Sequence, residues 1–180
     1  MSTITALLIA SGLVATAASV FPASAAAAAP ARAAVVSTTL EIGTTHAIRS
    51  RVLGASRVVN VVLPPGYKAA PRRRYPVLYL IDGGVEQDLL HVAGAAQLGA
   101  VWGRSGEAIV VGIETKDRRK ELVGPTGDPD LLKRFPTAGA SAEFREFIRA
   151  EVKPFVERSY RTNGQDAVMG ESLADRKSVV

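Results

Sequence analysis

Val168-Met-Gly-Glu-Ser-Leu-Ala174 is the stretch around which this 180-residue chain is organised. Its apolar start and its Gly-x-Ser-x-Ala pattern are typical of a short strand that turns sharply into a helix, with a serine at the tip. Such a strained turn needs small residues two positions before and after the serine, and Gly170 and Ala174 meet that need. The pattern predicts that the Ser172 hydroxyl projects above a sheet and that the Leu173 N–H faces a developing oxyanion.

The segments before this turn alternate between predicted strands and predicted helices. Continuous apolar runs indicate strands buried on both faces of a parallel sheet, and one-sided apolar stripes indicate helices. The predicted strands are 38–42, 47–53, 57–63, 76–81, 108–113 and 166–169, and the predicted helices are 89–102 and 141–160. Ser141 is the expected cap of the second helix, Pro154 is expected to kink or split it, and 114–139 is predicted to be a long loop. This order favours an α/β fold with helices on both faces of a parallel sheet.

Two features of the predicted sheet indicate one shared site. Gly83 and Gly84 follow the strand at 76–81, and Ser172 follows the strand at 166–169. Ligands of such sheets bind beyond the carboxyl ends of the strands. We therefore expect the two glycines and the serine to converge, although they are far apart in the sequence.

Composition argues against several classes of site. The formal charge of +5 is scattered apart from Arg72-Arg-Arg74, which is typical of a solvated surface and not of a nucleic-acid-binding face. The chain has no cysteine, which excludes disulfides and a cysteine nucleophile. Because His46 and His91 are the only histidines, we expect no histidine-rich metal site, and we expect no cofactor.

Residues 1–34 differ in composition from the rest of the chain. An apolar run at 4–20 is followed by the A-x-A-like site Ala23-Ser-Ala25 and an alanine tract, which is typical of a secretory signal peptide. No lysine or arginine precedes the run, and a membrane anchor is the alternative, although the run is short for a spanning helix. We expect a periplasmic or secreted protein with a flexible start at 26–34 and no stable membrane association after signal removal.

Four segments, in this order, resemble the esterase branch of the α/β-hydrolases, which includes esterase D-like enzymes and the trilactone esterases of ferric siderophores. They are Tyr75-Pro-Val-Leu-Tyr-Leu-Ile-Asp-Gly-Gly84, the strand 109–113 with Lys116-Asp-Arg118, the stretch 139–162, and Gly170-Glu-Ser-Leu-Ala174. The resemblance spans roughly residues 40–174 and does not specify a substrate. It implies the N-terminal part of a three-layer α/β-hydrolase sandwich, and hydrolysis of a small-molecule carboxylic ester through an acyl-enzyme.

The resemblance also implies roles for individual residues. Ser172 matches the nucleophile, and Leu173 matches the residue whose N–H forms half of the oxyanion hole. The second N–H is implied to come from Gly84 or Val85. Arg118 is a weaker candidate for substrate binding, since Lys116-Asp-Arg118 fits either contact with an acidic substrate or a solvated loop.

The chain departs from this family after the serine. The family order is serine, acid, histidine, yet only eight residues follow Ser172 and none is a histidine. His46 precedes it and fits a surface position, and His91 fits either a helix face or the wall of a substrate pocket. We expect the triad acid and histidine to be absent from this chain. We also expect an inactive, poorly stable fragment with an unpaired strand edge at 166–169.

The final residues, Asp175-Arg-Lys-Ser-Val-Val180, are unlike the small apolar helix that should follow the turn. One choice of codons, GAT-CGG-AAG-AGC-GTC-GTG with a TAG stop, reproduces the start of a widely used sequencing adapter. We therefore expect 35–174 to be a partial α/β-hydrolase domain and 175–180 to be an adapter-derived tail. Resequencing of the genomic locus tests this expectation, and recovery of the same codons would refute it.

Three interpretations of the whole chain stay open. The first is an exported serine esterase, either siderophore-type or a general carboxylesterase or acyl-thioester hydrolase. The second is a non-catalytic α/β-hydrolase-like binding protein, and the third is a serine-containing turn without chemical significance. The residues determine neither the ester nor the oligomeric state.

Overall fold

A computed structural model describes residues 35–174. The predicted signal peptide at 1–34 and the predicted tail at 175–180 lie outside the described residues. From Leu40 onward, the described residues form a compact α/β unit built on one five-stranded sheet. None of the helices between residues 35 and 174 is long and apolar enough to cross a membrane.

The sheet is mixed, and its parallel part carries the two loops of interest. Its strands are β1 (Thr44–Arg49), β2 (Ser56–Val62), β3 (Tyr75–Ile81), β4 (Ile109–Ile113) and β5 (Thr162–Met169), in the spatial order β1-β2-β4-β3-β5. β3 runs parallel to both β4 and β5, with Tyr79 opposite Val111 and Val168. β2 is antiparallel to β1 and to β4. The carboxyl ends of β3, β4 and β5 therefore meet at one end of the sheet.

Helices cover both faces of the sheet. They are α1 (Leu89–Val101), α2 (Arg118–Leu122), α3 (Pro129–Arg134), α4 (Ser141–Phe147), a π-helical turn (Ile148–Val152) and α5 (Lys153–Ser159). Tyr79 of β3 belongs to a core that includes Phe144 and Phe147 of α4. The next residue of the strand, Leu80, belongs to a second core with Leu89 of α1. Since successive strand residues point to opposite faces, the chain forms three layers, and the predicted α/β fold is confirmed.

The strand predictions near the start are wrong in their bounds. Residues 38–42 have no regular structure, and Leu40 is 85% exposed. β1 begins at Thr44 and ends at Arg49, so only the first part of the predicted strand 47–53 is a strand. The chain then turns at Ser50, whose N–H donates to the Ala55 carbonyl at 3.0 Å. Two strands were predicted in this region, but only the residues that pair with β2 form one.

The predicted loop at 114–139 contains two short helices. Asp117 caps α2 by accepting two backbone N–H groups of its first turn at 3.0 and 3.1 Å. Asp128 caps α3 in the same way, at 2.9 and 3.3 Å. Pro129 opens α3, where the missing N–H of proline breaks no helical bond. The prediction of a continuous loop is therefore wrong at Arg118–Leu122 and at Pro129–Arg134.

Pro154 changes the long helix without dividing it. α4, the π turn and α5 follow one another without a gap, and the Lys153 N–H donates to the Ile148 carbonyl, five residues back. The wider turn accommodates a ring that cannot donate the usual helical bond. The predicted cap, Ser141, is instead the first residue of α4 and is buried, and the residue before it makes no side-chain cap.

β5 forms one edge of the sheet. It begins at Thr162, earlier than the predicted strand 166–169, with Gly164 at a φ of 80° and a register shift opposite Tyr75 to Val77. Within residues 35–174 its outer edge has no strand partner.

Candidate active site

The turn after β5 has the tight geometry that the sequence pattern predicts. Ser172 has a φ of 58°, a left-handed conformation that is uncommon in residues other than glycine. A Cβ on Gly170 would lie 2.6 Å from the Cβ of Ala174 and 2.8 Å from its carbonyl carbon, so this turn requires glycine there. The Ala174 N–H donates to the Glu171 carbonyl at 3.0 Å and closes the turn. Ser172 is exposed at the tip, whereas Ala174 is buried in the core.

The turn after β3 holds a second left-handed residue, Asp82, with a φ of 59°. Among residues 35–174, Asp82 and Ser172 are the only non-glycine residues with a positive φ. The chain then passes very close to β4. The Gly83 N–H donates to the Ile113 carbonyl at 2.9 Å, and a Cβ on Gly83 would lie 2.2 Å from the Cα of Gly112. The sheet therefore fixes the path of this loop.

One arginine joins the two turns. Arg118, the first residue of α2, donates from Nε to Oδ2 of Asp82 at 2.9 Å, and its Nη2 lies 2.8 Å from the same oxygen in an ion pair. Its Nη2 also donates to the carbonyl of Glu171, the residue before Ser172, at 3.3 Å. The Thr115 hydroxyl donates to the other carboxylate oxygen of Asp82. The pKa of Arg118 is raised, chiefly by the hydrogen bond to Asp82, so this guanidinium stays charged.

A buried ion pair anchors α2 to the sheet. Arg57 on β2 donates from Nη1 and Nη2 to the two carboxylate oxygens of Glu121 on α2, at 2.7 and 2.8 Å. The Lys116 N–H donates to Glu121 at 3.1 Å, and Nη2 of Arg57 donates to the Glu114 carbonyl at 2.9 Å. The two side chains are only 5% and 9% exposed. This bidentate pair fixes α2, and with it Arg118, relative to β2.

Ser172 opens onto a polar cleft of about 280 Å³. The lining residues are Asp82, Gln87, Asp88, Arg118, Glu171 and Ser172. They carry three carboxylates and one guanidinium, and that guanidinium is already paired with Asp82. The cleft that the described residues form therefore has a net negative character.

The predicted oxyanion donors lie in different surroundings. The Gly84 N–H donates to Oε1 of Gln87 at 2.9 Å, and Nε2 of Gln87 donates to the Thr115 carbonyl at 3.0 Å. Val85, the next residue, is 50% exposed. Leu173 is half-buried, and its side chain packs against the main core. Gln87 thus holds the loop between β3 and α1 in its present shape.

Neither histidine lies in the lining of the cleft. His46 is on β1, where its Nε2 lies 2.7 Å from the Tyr160 hydroxyl and its ring packs edge-on against Phe155. His91 is exposed on α1. The structure brings together Ser172 and Arg118 from the predicted site and leaves both histidines outside.

Three residues of the cleft network were not predicted from the sequence: Asp82, Thr115 and Gln87. Asp82 offered a signal, because it stands between a buried strand and two glycines, where ligand-binding loops of parallel sheets begin. Thr115 likewise follows β4 closely. Gln87 offered no such signal, because a glutamine before a helix does not distinguish a ligand-binding loop from an ordinary solvated loop.

Comparisons with known proteins give a consistent assignment. A family model described as "Putative esterase" matches residues 50–179. The chain is similar to an IroE-like serine hydrolase from Shewanella oneidensis, with 28% identity and a TM-score of 0.60, over 73% of this chain and 43% of that one. No curated protein matches the chain.

Two further solved structures show the same fold at lower identity. One is the siderophore hydrolase EstB from Aspergillus nidulans, with 22% identity and a TM-score of 0.61, over 79% of this chain and 51% of that one. The other is the enterobactin esterase FES from Shigella flexneri, with 15% identity and a TM-score of 0.55, over 79% and 33% of the two chains. The chain therefore spans about half or less of the length of these three structures.

Proposed function

The chain belongs to the esterase family whose model it matches, and from this premise we propose that it is part of a serine carboxylic-ester hydrolase that acts through an acyl-enzyme. The observation that carries the proposal is the left-handed Ser172 at the tip of the turn after β5, open to the polar cleft. Parallel α/β sheets bind ligands at this end of their strands. A serine on such a turn is presented to an ester carbonyl without rearrangement of the backbone.

In the proposed reaction, the hydroxyl oxygen of Ser172 attacks the ester carbonyl and forms a tetrahedral intermediate with a negative oxygen. The Leu173 N–H and one N–H of the loop after β3 donate to that oxygen. The intermediate expels the alcohol and leaves an acylated Ser172, and attack by water then releases the acid. Loss of a single oxyanion donor typically costs about 10²–10³ in rate.

The second oxyanion donor is proposed to be Gly84 or Val85. The Gly84 N–H is engaged by the side chain of Gln87, so it becomes available only if Gln87 turns away. Val85 is available if Gln87 keeps its place. A Gln87→Ala variant of a longer, active product separates the two possibilities. Ester turnover should rise if Gly84 is the donor, and it should fall, because the loop is disturbed, if Val85 is the donor.

The proposed chemistry needs a general base to accept the serine proton. Neither His46 nor His91 lines the cleft, so the described residues place no imidazole beside the proposed nucleophile. We therefore expect the 180-residue chain by itself to turn over no ester. The base and its orienting acid belong to the proposal for the whole protein, since the chain spans about half or less of its solved relatives.

The proposed substrate is a small-molecule ester, either a siderophore-type ester or another carboxylic ester. The names of the siderophore hydrolase and the enterobactin esterase support the first possibility, and the family supports both. Arg118, which lines the cleft, is proposed to contact the substrate. His91 lies outside the cleft lining, and its contact with substrate is a weaker proposal that rests on the sequence alone. Export to the periplasm or the medium is proposed from the composition of residues 1–34.

The test combines fluorophosphonate labelling with hydrolysis of p-nitrophenyl esters. It uses this chain and, if the genomic sequence reads past Ala174, the longer product. We expect labelling and turnover in the longer product, loss of both in Ser172→Ala, and wild-type behaviour in Ser105→Ala, which removes an exposed serine elsewhere. Full turnover in Ser172→Ala would show that Ser172 is not the nucleophile.

The second candidate function is a non-catalytic binding protein with an α/β-hydrolase-like fold. It is favoured by the absence of an imidazole from the cleft lining between residues 35 and 174. A longer product that binds a fluorophosphonate no faster than Ser172→Ala, but retains affinity for an ester, would establish this alternative.

A further inference from the structure

The two turns that frame the cleft have the same uncommon backbone conformation. Asp82 and Ser172 each adopt a φ near +60°, although neither is a glycine. Such conformations cost free energy and persist where the surrounding contacts hold them. The two residues follow the adjacent parallel strands β3 and β5, so both turns lie at the same end of the sheet. Contacts at that end must therefore hold both turns in this conformation.

We infer that Arg118 is the positioning residue that ties these two turns together and sets their spacing. Its Nε and Nη2 bind the Asp82 carboxylate, and the same Nη2 binds the carbonyl of Glu171, directly before Ser172. One planar group therefore spans the loop after β3 and the loop after β5. The relevance of this positioning role to catalysis rests on the proposed function, since these loops carry the proposed nucleophile and oxyanion donors.

The helix that carries Arg118 is fixed at both of its ends. Asp117 caps the start of α2, and the buried pair of Glu121 with Arg57 fixes its end to the sheet. The Asp82 carboxylate is only 5% exposed and also accepts from the Thr115 hydroxyl, so the acceptor of this ion pair is fixed from both sides. Hydrogen bonds between charged groups in such surroundings are stronger than those between neutral groups.

The Glu171 carbonyl provides a direct readout of this tie. It accepts from Nη2 of Arg118 and also from the Ala174 N–H, which closes the turn around Ser172. If Arg118 is removed, the carbonyl is free to rotate and the bond to Ala174 opens more often. Hydrogen exchange at the Ala174 amide therefore reports the state of the turn and requires no ester turnover.

The experiment is residue-resolved amide hydrogen exchange on the 180-residue chain. In Arg118→Met, we expect the Ala174 amide to exchange about tenfold or more faster, while amides of the β2–β4 ladder keep their rates. Arg118→Lys should restore only part of the protection, because an ammonium cannot reproduce the planar fork. Asp82→Asn is nearly isosteric and should also accelerate exchange at the Ala174 amide. It serves as the test variant if Arg118→Met does not fold.

Arg119→Met is the matched control. Arg119 is the next residue of the same helix, and its guanidinium lies over the Phe135 ring at 4.7 Å. Its removal should leave the Ala174 amide at the wild-type rate. An unchanged exchange rate of the Ala174 amide in both Arg118→Met and Asp82→Asn would overturn the inference. So would acceleration that spreads equally to the β2–β4 ladder, since that reports general loss of stability.

The inference about Arg118 and the proposed function fail in different measurements. Ser172→Ala removes the proposed nucleophile but should leave the exchange pattern unchanged. If Ser172 proves unreactive while Arg118→Met still loosens the turn, the proposed chemistry is wrong and the positioning role stands. If Ser172 is reactive and Arg118→Met leaves the exchange of the Ala174 amide unchanged, the proposed chemistry stands and the positioning role is wrong.

Discussion

The buried pair of Arg57 and Glu121 should behave as one energetic unit. Replacement of Glu121 by glutamine keeps the size of the side chain but leaves the Arg57 guanidinium without a counter-charge at 5% exposure. Removal of one partner of a buried pair typically costs about 3–5 kcal/mol. The Arg57 Nε already has no hydrogen-bond partner within residues 35–174, so little compensation is available. We expect Glu121→Gln to lower the free energy of unfolding by an amount in this range.

This loss is large enough to measure in two ways. The entropy of unfolding is roughly 2.1 cal/mol/K per residue, or about 0.3 kcal/mol/K for a domain of about 140 residues, so a loss of about 4 kcal/mol lowers Tm by roughly 13 °C. Urea unfolding should show the same loss as a lower midpoint with an unchanged slope. The exposed pair of Glu146 and Arg149 is the control, and Glu146→Gln should leave the midpoint where it was.

The double variant Arg57→Met with Glu121→Leu decides whether the reasoning is correct. Apolar replacement of both partners of a buried pair is often neutral or stabilising. The double variant still leaves the Lys116 N–H and the Glu114 carbonyl without these partners. We therefore expect it to lose some stability, but clearly less than the sum of the two single losses. If the two single losses add, the pair is not a coupled unit. A Glu121→Gln loss no larger than that of an exposed pair would also refute the argument.

Three further predictions follow from individual contacts. Gly83→Ala would place a Cβ against the backbone of β4 and should cost about 3 kcal/mol or more in urea unfolding, whereas Gly94→Ala, in open space on α1, should stabilise by up to about 1 kcal/mol. The pKa of Asp117 is lowered, chiefly by the Lys120 backbone N–H, so its stabilisation is present above the ordinary carboxyl pKa and lost as pH falls through the lowered one. The urea midpoint of Asp117→Ala should therefore lie below that of wild type at pH 7 and approach it in acid, and a constant difference would contradict this. Gln87→Ala should accelerate amide exchange in the loop after β3, and an unchanged rate would show that Gln87 does not hold that loop.

The parallel part of the sheet could be predicted because burial on both faces leaves a continuous apolar run. The predicted strands 76–81 and 108–113 correspond to β3 (Tyr75–Ile81) and β4 (Ile109–Ile113), each within one residue of its predicted start. At the start of the chain the same reasoning failed. Residues 38–42 were predicted to be a strand, but they pair with no neighbouring strand within residues 35–174, whereas Thr44–Arg49 pair with β2. A strand-like pattern does not determine which segment finds a pairing partner.

The amino-acid sequence alone was sufficient for the turn around Ser172, because the constraint is local: Gly170 and Ala174 must be small if the chain is to fold back within four residues. The surroundings of Ser172 were decided by the tertiary structure. Arg118 reaches Asp82 across 36 positions of sequence and Glu171 across 53, and such contacts leave no periodic pattern in the chain. They exist because β3, β4 and β5 end side by side, so that loops remote in sequence share one small volume.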